Sequence, residues 1–218
     1  MQKSDAARPG AGMQAQKPRH RLFIFSFDDV LVDGSSTKRV MDAFGMDNEL
    51  GALRALYNSG RMSGKKLVES IAGCLKGKNV RDFDRAAYSL RPKQHTIGEL
   101  RKLKKMGCTL AVISFSFHRA ISAALPQGLF DFMIAPKLRT RNGLFTGEVS
   151  IPFYRSGKYL FSKRAAAVSI MKALGVKPEE SIAVGEFRSD RELYSAVGAA
   201  VDVSSSEPSP LSGISSMA

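Results

Sequence analysis

A chain of 218 residues with 44% hydrophobic content can bury one substantial core and has room for a smaller inserted unit. Its formal net charge of +13, most of it carried between residues 21 and 202, favours anionic ligands, whether phosphate esters or nucleic acid. No apolar run approaches the roughly 18 to 20 residues that span a bilayer, and the first twenty residues hold no leader-like hydrophobic segment, so the sequence predicts a cytoplasmic protein with no membrane association.

Residues 1–20 and 204–218 are rich in Gly, Pro, Ser and Ala and are expected to be disordered tails, the first of them basic. The fold opens with an apolar strand over residues 21–26 that runs into Ser26-Phe27-Asp28-Asp29-Val30-Leu31. A short apolar run ending in clustered carboxylates is how a buried parallel strand delivers acidic groups to its carboxyl end. Helical patterning follows from about residue 36 to 105, with breaks at Asn58-Ser59-Gly60, Lys76-Gly77-Lys78 and Arg91-Pro92. Most of that block reads as an inserted helical subdomain. Within its last helix, Arg101-Lys102-Leu103-Lys104-Lys105 is expected to be a solvated face.

A second buried strand is expected over Thr109 to Ser114, then a helix, then Phe132-Met133-Ile134, and then a hairpin turning at Asn142-Gly143. An amphipathic helix from about Gly157 to Leu174 is closed by Gly175. A third apolar strand from Ser181 to Val184, a loop over Gly185 to Asp190, a further helix and a last strand near Ala199 to Val203 complete the pattern. Alternating strands and helices predict a parallel sheet covered on both faces.

The ends of these strands supply Ser26 and Asp28, Ser114, and Glu186 with Asp190, while the helix before the third strand supplies Lys163. Carboxylates, hydroxyls and a lysine at one sheet edge suit a phosphate and a divalent cation. Other motifs carry less. Gly60-Arg61-Met62-Ser63-Gly64-Lys65 has too few residues between its glycines for a P-loop, and His20, His95 and His118 lack metal-ligand spacing. Cys74 and Cys108 stand alone and read as reduced core residues. His118 and Arg119 could start the helix behind Ser114 and face a phosphate, but the favoured reading makes them surface residues.

In order and spacing these motifs resemble the haloacid dehalogenase superfamily, in its phosphoserine-phosphatase-like branch, over residues 21 to 203. The first motif of that family, Asp-x-Asp-x-Thr/Val-Leu, is matched by Ser26 to Leu31 except at its first position; the second by Leu110 to Ser114; the third by Lys163; and the fourth, Gly-Asp-x-x-x-Asp, by Gly185 to Asp190. The resemblance implies an α/β fold, a three-layer Rossmann-like parallel sheet built from residues 21–34 and 96–203, with a helical cap over residues 35–95. It places Ser26 and Asp28 at the catalytic positions, Ser114 and Lys163 on the phosphate, and Asp28, Glu186 and Asp190 around Mg²⁺.

In the mechanism the resemblance implies, the first aspartate attacks phosphorus and binds the metal, and the second acts as general acid and base. Ser26 can take over neither task as it stands, because a hydroxyl needs an adjacent base to become a nucleophile. Glu186 lengthens a metal ligand by one methylene, and Mg²⁺ demands near-octahedral geometry. Asp29, Phe115 and Phe187-Arg188-Ser189 depart further from the pattern. The expectation is a catalytically impaired pseudoenzyme, with Mg²⁺ weakly held or absent, that binds a phosphorylated small molecule or phosphoprotein. The alternatives are a divergent Mg²⁺-dependent phosphomonoesterase and, less favoured, a basic nucleic-acid-binding module. Free phosphoserine fits poorly, since the cap offers Glu69 but no arginine beside it to grip the amino acid.

Overall fold

The computed structural model describes residues 18–152, 162–204 and 211–218. Strand β1, Leu22–Phe25, is wholly buried at the centre of a parallel sheet, as its uninterrupted apolar run requires. On one side lie β2 (Thr109–Ile113) and β3 (Phe132–Ile134), and on the other β6 (Ser181–Gly185) and β7 (Ala199–Asp202), giving the order β3-β2-β1-β6-β7. Ile24 stands opposite Ala111 on β2 and Ala183 on β6. The chain leaves β1 in one direction for β2 and later returns to its other side for β6. That reversal opens a crevice at the carboxyl end of β1, where open α/β sheets place their ligands.

Alternation along β1 builds the three layers. Phe23 and Phe25 join Leu100 and Leu103 of α5 (Thr96–Lys105) on one face. Leu22 and Ile24 join Ala166, Ala167, Ile170 and Met171 of α7 (Lys163–Leu174) on the other. Gly175 closes α7 in the left-handed conformation at φ 60°, where a glycine carries no Cβ penalty. The expected start of this helix, residues 157–161, lies outside the described residues.

Between β1 and α5 the chain folds into α1 (Ser36–Ala43), α2 (Asp47–Asn58), α3 (Gly64–Cys74) and α4 (Val80–Tyr88). Ser35, Ser63 and Asn79 cap α1, α3 and α4 by accepting backbone N–H bonds. Gly45 at φ 68° adds a break between α1 and α2 that the helical pattern alone did not place. These helices bury their own cluster, with Met41, Leu50, Leu75 and Phe83 at its centre. The hairpin of β4 (Lys137–Arg141) and β5 (Leu144–Ser150) turns at Asn142 and Gly143, both at positive φ as a type I′ turn needs. Although expected within the α/β core, it packs on the cap: the Phe145 and Phe83 rings are 5.1 Å apart, and Gly77 N donates to Phe145 O at 2.8 Å.

Two further expectations need correction. The stretch Gly185 to Asp190 is a loop only at its start, because α8 begins at Phe187 and runs to Tyr194, so Asp190 sits in a first helical turn. Residues 211–218, expected in a disordered tail, pack against the core: Leu211 and Ile214 are buried, Ser215 donates to the buried Glu99 carboxylate from both its N–H and its hydroxyl, and His20 bonds to the Met217 carbonyl. The rest of the N-terminal tail lies outside the described residues. The two thiols are free, Cys108 buried and Cys74 half-buried. Among the described residues no helix is long and apolar enough to cross a membrane.

Candidate active site

The crevice is furnished first by β1. Ser26 N donates to Val184 O at 2.9 Å, continuing the β1–β6 pairing for one residue and holding the buried Ser26 side chain at the sheet edge. Two residues on, Asp28 Oδ1 accepts the Ser36 N–H at 3.1 Å, which ties the carboxylate to the first turn of α1. Burial pushes the Asp28 carboxyl above its ordinary range, and hydrogen bonds from Ser36 and Ser116 only partly offset this. Asp29 belongs to the turn rather than the crevice: it sits at φ 58° and accepts the Gly34 N–H at 3.0 Å.

Lys163, the first residue of α7, brings its ammonium into the same space. Its Nζ donates to Ser26 Oγ at 3.0 Å and to Asp190 Oδ1 at 2.5 Å, and lies 5.2 Å from the centre of the Phe115 ring. Asp190 is wholly buried, and its other oxygen accepts Glu186 N at 2.9 Å and Ser189 Oγ at 3.2 Å. Only glycine fits at position 185, because a Cβ there would stand 2.5 Å from Asp190 Oδ2. Asp190, expected to face a metal, is thus the counter-ion of Lys163.

Ser114 ends β2 beside Ser26. Its N–H donates to Ile134 O at 3.0 Å and its buried Oγ accepts Ser116 N at 3.0 Å, leaving the hydroxyl proton to donate. Glu186 is half-buried at the end of β6, and its carboxylate makes no hydrogen bond or ion pair among the described residues. The structure therefore gathers Ser26, Asp28, Ser114, Lys163, Glu186 and Asp190 around the carboxyl ends of β1, β2 and β6. Arg119 is not part of this set: it reaches across to α4 and holds Asp84 through two bonds of 2.5 and 2.6 Å, linking cap to core.

Above Lys163 a cavity of about 450 Å³ opens between cap and core. Tyr57, Leu67 and Val68 line it from the cap, and Phe115, Arg188 and Arg191 from the core. Sequence reasoning marked Phe115 and Arg188 only as departures from a pattern, since nothing local tells that they face one space.

No family model matches this sequence. Among curated proteins it is similar to the phosphoserine phosphatase of Methanocaldococcus jannaschii, 21% identical over 180 residues, which cover 83% of this chain and 83% of that protein. It is also similar to that of Streptomyces coelicolor, 26% identical over 200 residues, covering 90% of this chain but 47% of that protein. Among solved structures it resembles a phospho-aspartyl intermediate analogue of phosphoserine phosphatase, with a TM-score of 0.70 at 22% identity over 84% of this chain and 86% of that one. A haloacid dehalogenase family hydrolase from Salmonella enterica serovar Typhi gives 0.73 at 16% identity, over 83% of this chain and 61% of that one. The chain is thus similar over most of its length to phosphoserine phosphatases, and it shares the fold of hydrolases of the haloacid dehalogenase superfamily.

Phosphatases of this superfamily generally use Mg²⁺. Among the described residues, no three His, Cys, Asp or Glu side chains are grouped to hold a metal ion. The reason is visible in the bonding. Asp190 spends both oxygens on Lys163, Glu186 N and Ser189, and the position of the first aspartate holds a neutral hydroxyl. Asp28 and Glu186 remain; Mg²⁺ is commonly held by one or two carboxylates completed by waters and a substrate phosphate, so these two would hold it, in a site that lacks the first aspartate's charge.

Proposed function

We propose that this chain is a cytoplasmic, phosphatase-like protein that binds a phosphorylated ligand without hydrolysing it through an aspartyl-phosphate. The observation that carries this reading is the 3.0 Å bond from the Lys163 ammonium to Ser26 Oγ. A hydroxyl activated as a nucleophile must give up its proton to a base; among the described residues no base accepts the Ser26 proton, the Ser26 oxygen accepts a hydrogen bond from a cation, and Asp28 is turned to the Ser36 N–H. The same arrangement favours binding. A neutral Ser26 removes the repulsion that a carboxylate would exert on an incoming dianion, and Lys163 with the Ser114 hydroxyl supplies donors. Free thiols at Cys74 and Cys108 suit a reducing compartment.

The test is a melting experiment with inorganic phosphate. At ten times its dissociation constant the ligand should stabilise the fold by RT ln 11, about 1.4 kcal/mol, a rise of about 3–6 °C for a domain of this size. Lys163→Ala should shrink the rise, while Lys105→Ala, on the exposed side of α5, should leave it intact. Equal loss in both variants would reduce the effect to the general attraction of a basic protein for anions. Retention of Asp28 at the second motif position supports a second reading, a divergent phosphomonoesterase with Asp28 as proton donor. Phosphate release that disappears in Asp28→Asn would select it.

A further inference from the structure

The cavity between cap and core is built for a different ligand body from a free amino acid. Its cap wall presents Tyr57, Leu67 and Val68, and its core wall presents Phe115, so the sides are aromatic and aliphatic. Tyr57 and Phe115 are 47% and 45% exposed and line the same cavity, so they form one apolar patch rather than scattered surface rings. Cations surround this apolar centre: Lys163 at the base, Arg188 and Arg191 from α8, and Lys65 from α3. A single carboxylate, Glu192, borders the cavity among the described residues, and the Ser162 hydroxyl engages it at 3.0 Å. An α-ammonium group entering here would meet apolar surface and four cations, with Glu192 the one carboxylate among the described lining residues.

Phe115 joins the two halves of this chemistry. Its ring lies over the Lys163 ammonium at 5.2 Å and also lines the cavity, so a flat group resting on Phe115 would hold an attached anion within reach of Lys163. Arg188, in the first turn of α8, makes no ion pair or hydrogen bond among the described residues and lines the cavity, where it can neutralise the ester. We infer that the ligand is a phosphomonoester carrying an aromatic or otherwise flat apolar body, with phosphate towards Lys163 and Arg188 and the body between Phe115 and Tyr57. This inference rests on the phosphate-binding reading proposed above and names the class of ligand for that site.

Calorimetric titration of the full chain with 1-naphthyl phosphate, phosphoserine, inorganic phosphate and 1-naphthol separates the two claims. Covering an aromatic body of this size should make 1-naphthyl phosphate bind roughly ten-fold or more tightly than phosphoserine or inorganic phosphate. Tyr57→Ser and Arg188→Ala, both at exposed positions and so compatible with folding, should each weaken 1-naphthyl phosphate several-fold. Tyr57→Ser should affect inorganic phosphate less than it affects the aryl ester. Equal affinity for all three phosphates, with Lys163→Ala weakening each, would overturn the apolar-body inference and leave phosphate binding standing. So would 1-naphthol binding as tightly as its phosphate, or aryl ester binding indifferent to Tyr57→Ser. If no phosphate binds, both claims fall.

Discussion

Replacing Lys163 with Met keeps the stem of the side chain and removes its ammonium, which leaves the wholly buried Asp190 carboxylate without its counter-ion. Breaking a buried pair from one side costs about 3–5 kcal/mol, because the remaining charge has lost both water and partner. Here Asp190 keeps the Glu186 N–H and the Ser189 hydroxyl, so the lower end, about 3 kcal/mol, is expected. For a domain near 200 residues that loss lowers the melting temperature by about 6–12 °C. Asp190→Asn removes the charge but leaves the ammonium buried and should cost a similar amount. The double variant Lys163→Met with Asp190→Asn removes both charges and should recover much of the loss, with a coupling of about 1–3 kcal/mol in the cycle. Urea unfolding at pH 7, read by far-UV circular dichroism, measures all four proteins. Strictly additive losses, or single variants that melt within 2 °C of the parent on the scale of about 2–4 °C per kcal/mol, would refute the pair as the anchor of this crevice.

Gly185→Ala should destabilise by about 1–3 kcal/mol, because its Cβ would meet Asp190 Oδ2 at 2.5 Å; a melting temperature equal to the parent would contradict the packing. Asp28→Asn should raise stability at pH 7 relative to pH 3. Burial raises the folded-state pKa of Asp28, so its contribution is neutral below the ordinary carboxylate range and becomes unfavourable as pH rises through it. A pH-independent difference between the two proteins, followed by chemical denaturation, would sink that account. Deleting residues 211–218 exposes the sites of Leu211 and Ile214 and should cost about 3–6 kcal/mol on the scale of 1.5–3 per buried aliphatic side chain. Hydrogen exchange in α5 should rise in the same deletion, and unchanged exchange would show that the segment is not docked in solution. Asp84→Ala breaks only a pair some 37–39% exposed, and its melting temperature should fall by less than about 3 °C.

The order of the strands was readable because each is a short apolar run. Phe23-Ile24-Phe25 and Leu110-Ala111-Val112 can only be buried, and Asn142-Gly143 names its turn. Ser26, Asp28, Ser114, Glu186 and Asp190 were readable for the same reason, since parallel strands deliver whatever follows them to one edge, whereas Lys163, on a helix, was placed by the resemblance. What was hidden depends on contacts between distant positions. Nothing local in a lysine and an aspartate 27 residues apart says that they will pair with one another. Residues 211–218 read as a tail because Ser and Pro dominate the neighbouring sequence, yet Leu211 and Ile214 find a groove beside α5 that the pattern of α5 does not advertise. The helical start at Phe187 was masked by polar residues typical of loops, and Asp190 accepting the Glu186 N–H is what lets the helix begin there.

Ser26 beside Lys163 is proposed to mark a site that holds phosphate without turning it over. Release of inorganic phosphate from 4-nitrophenyl phosphate, with and without Mg²⁺, tests it directly, run for the natural protein beside Ser26→Asp and Ser26→Asp with Glu186→Asp. Release should stay at the buffer blank for the natural protein, gain little in the single variant because Lys163 is still held by Asp190, and gain more in the double variant. Mg²⁺-dependent release by the natural protein that is abolished in Asp28→Asn would contradict it.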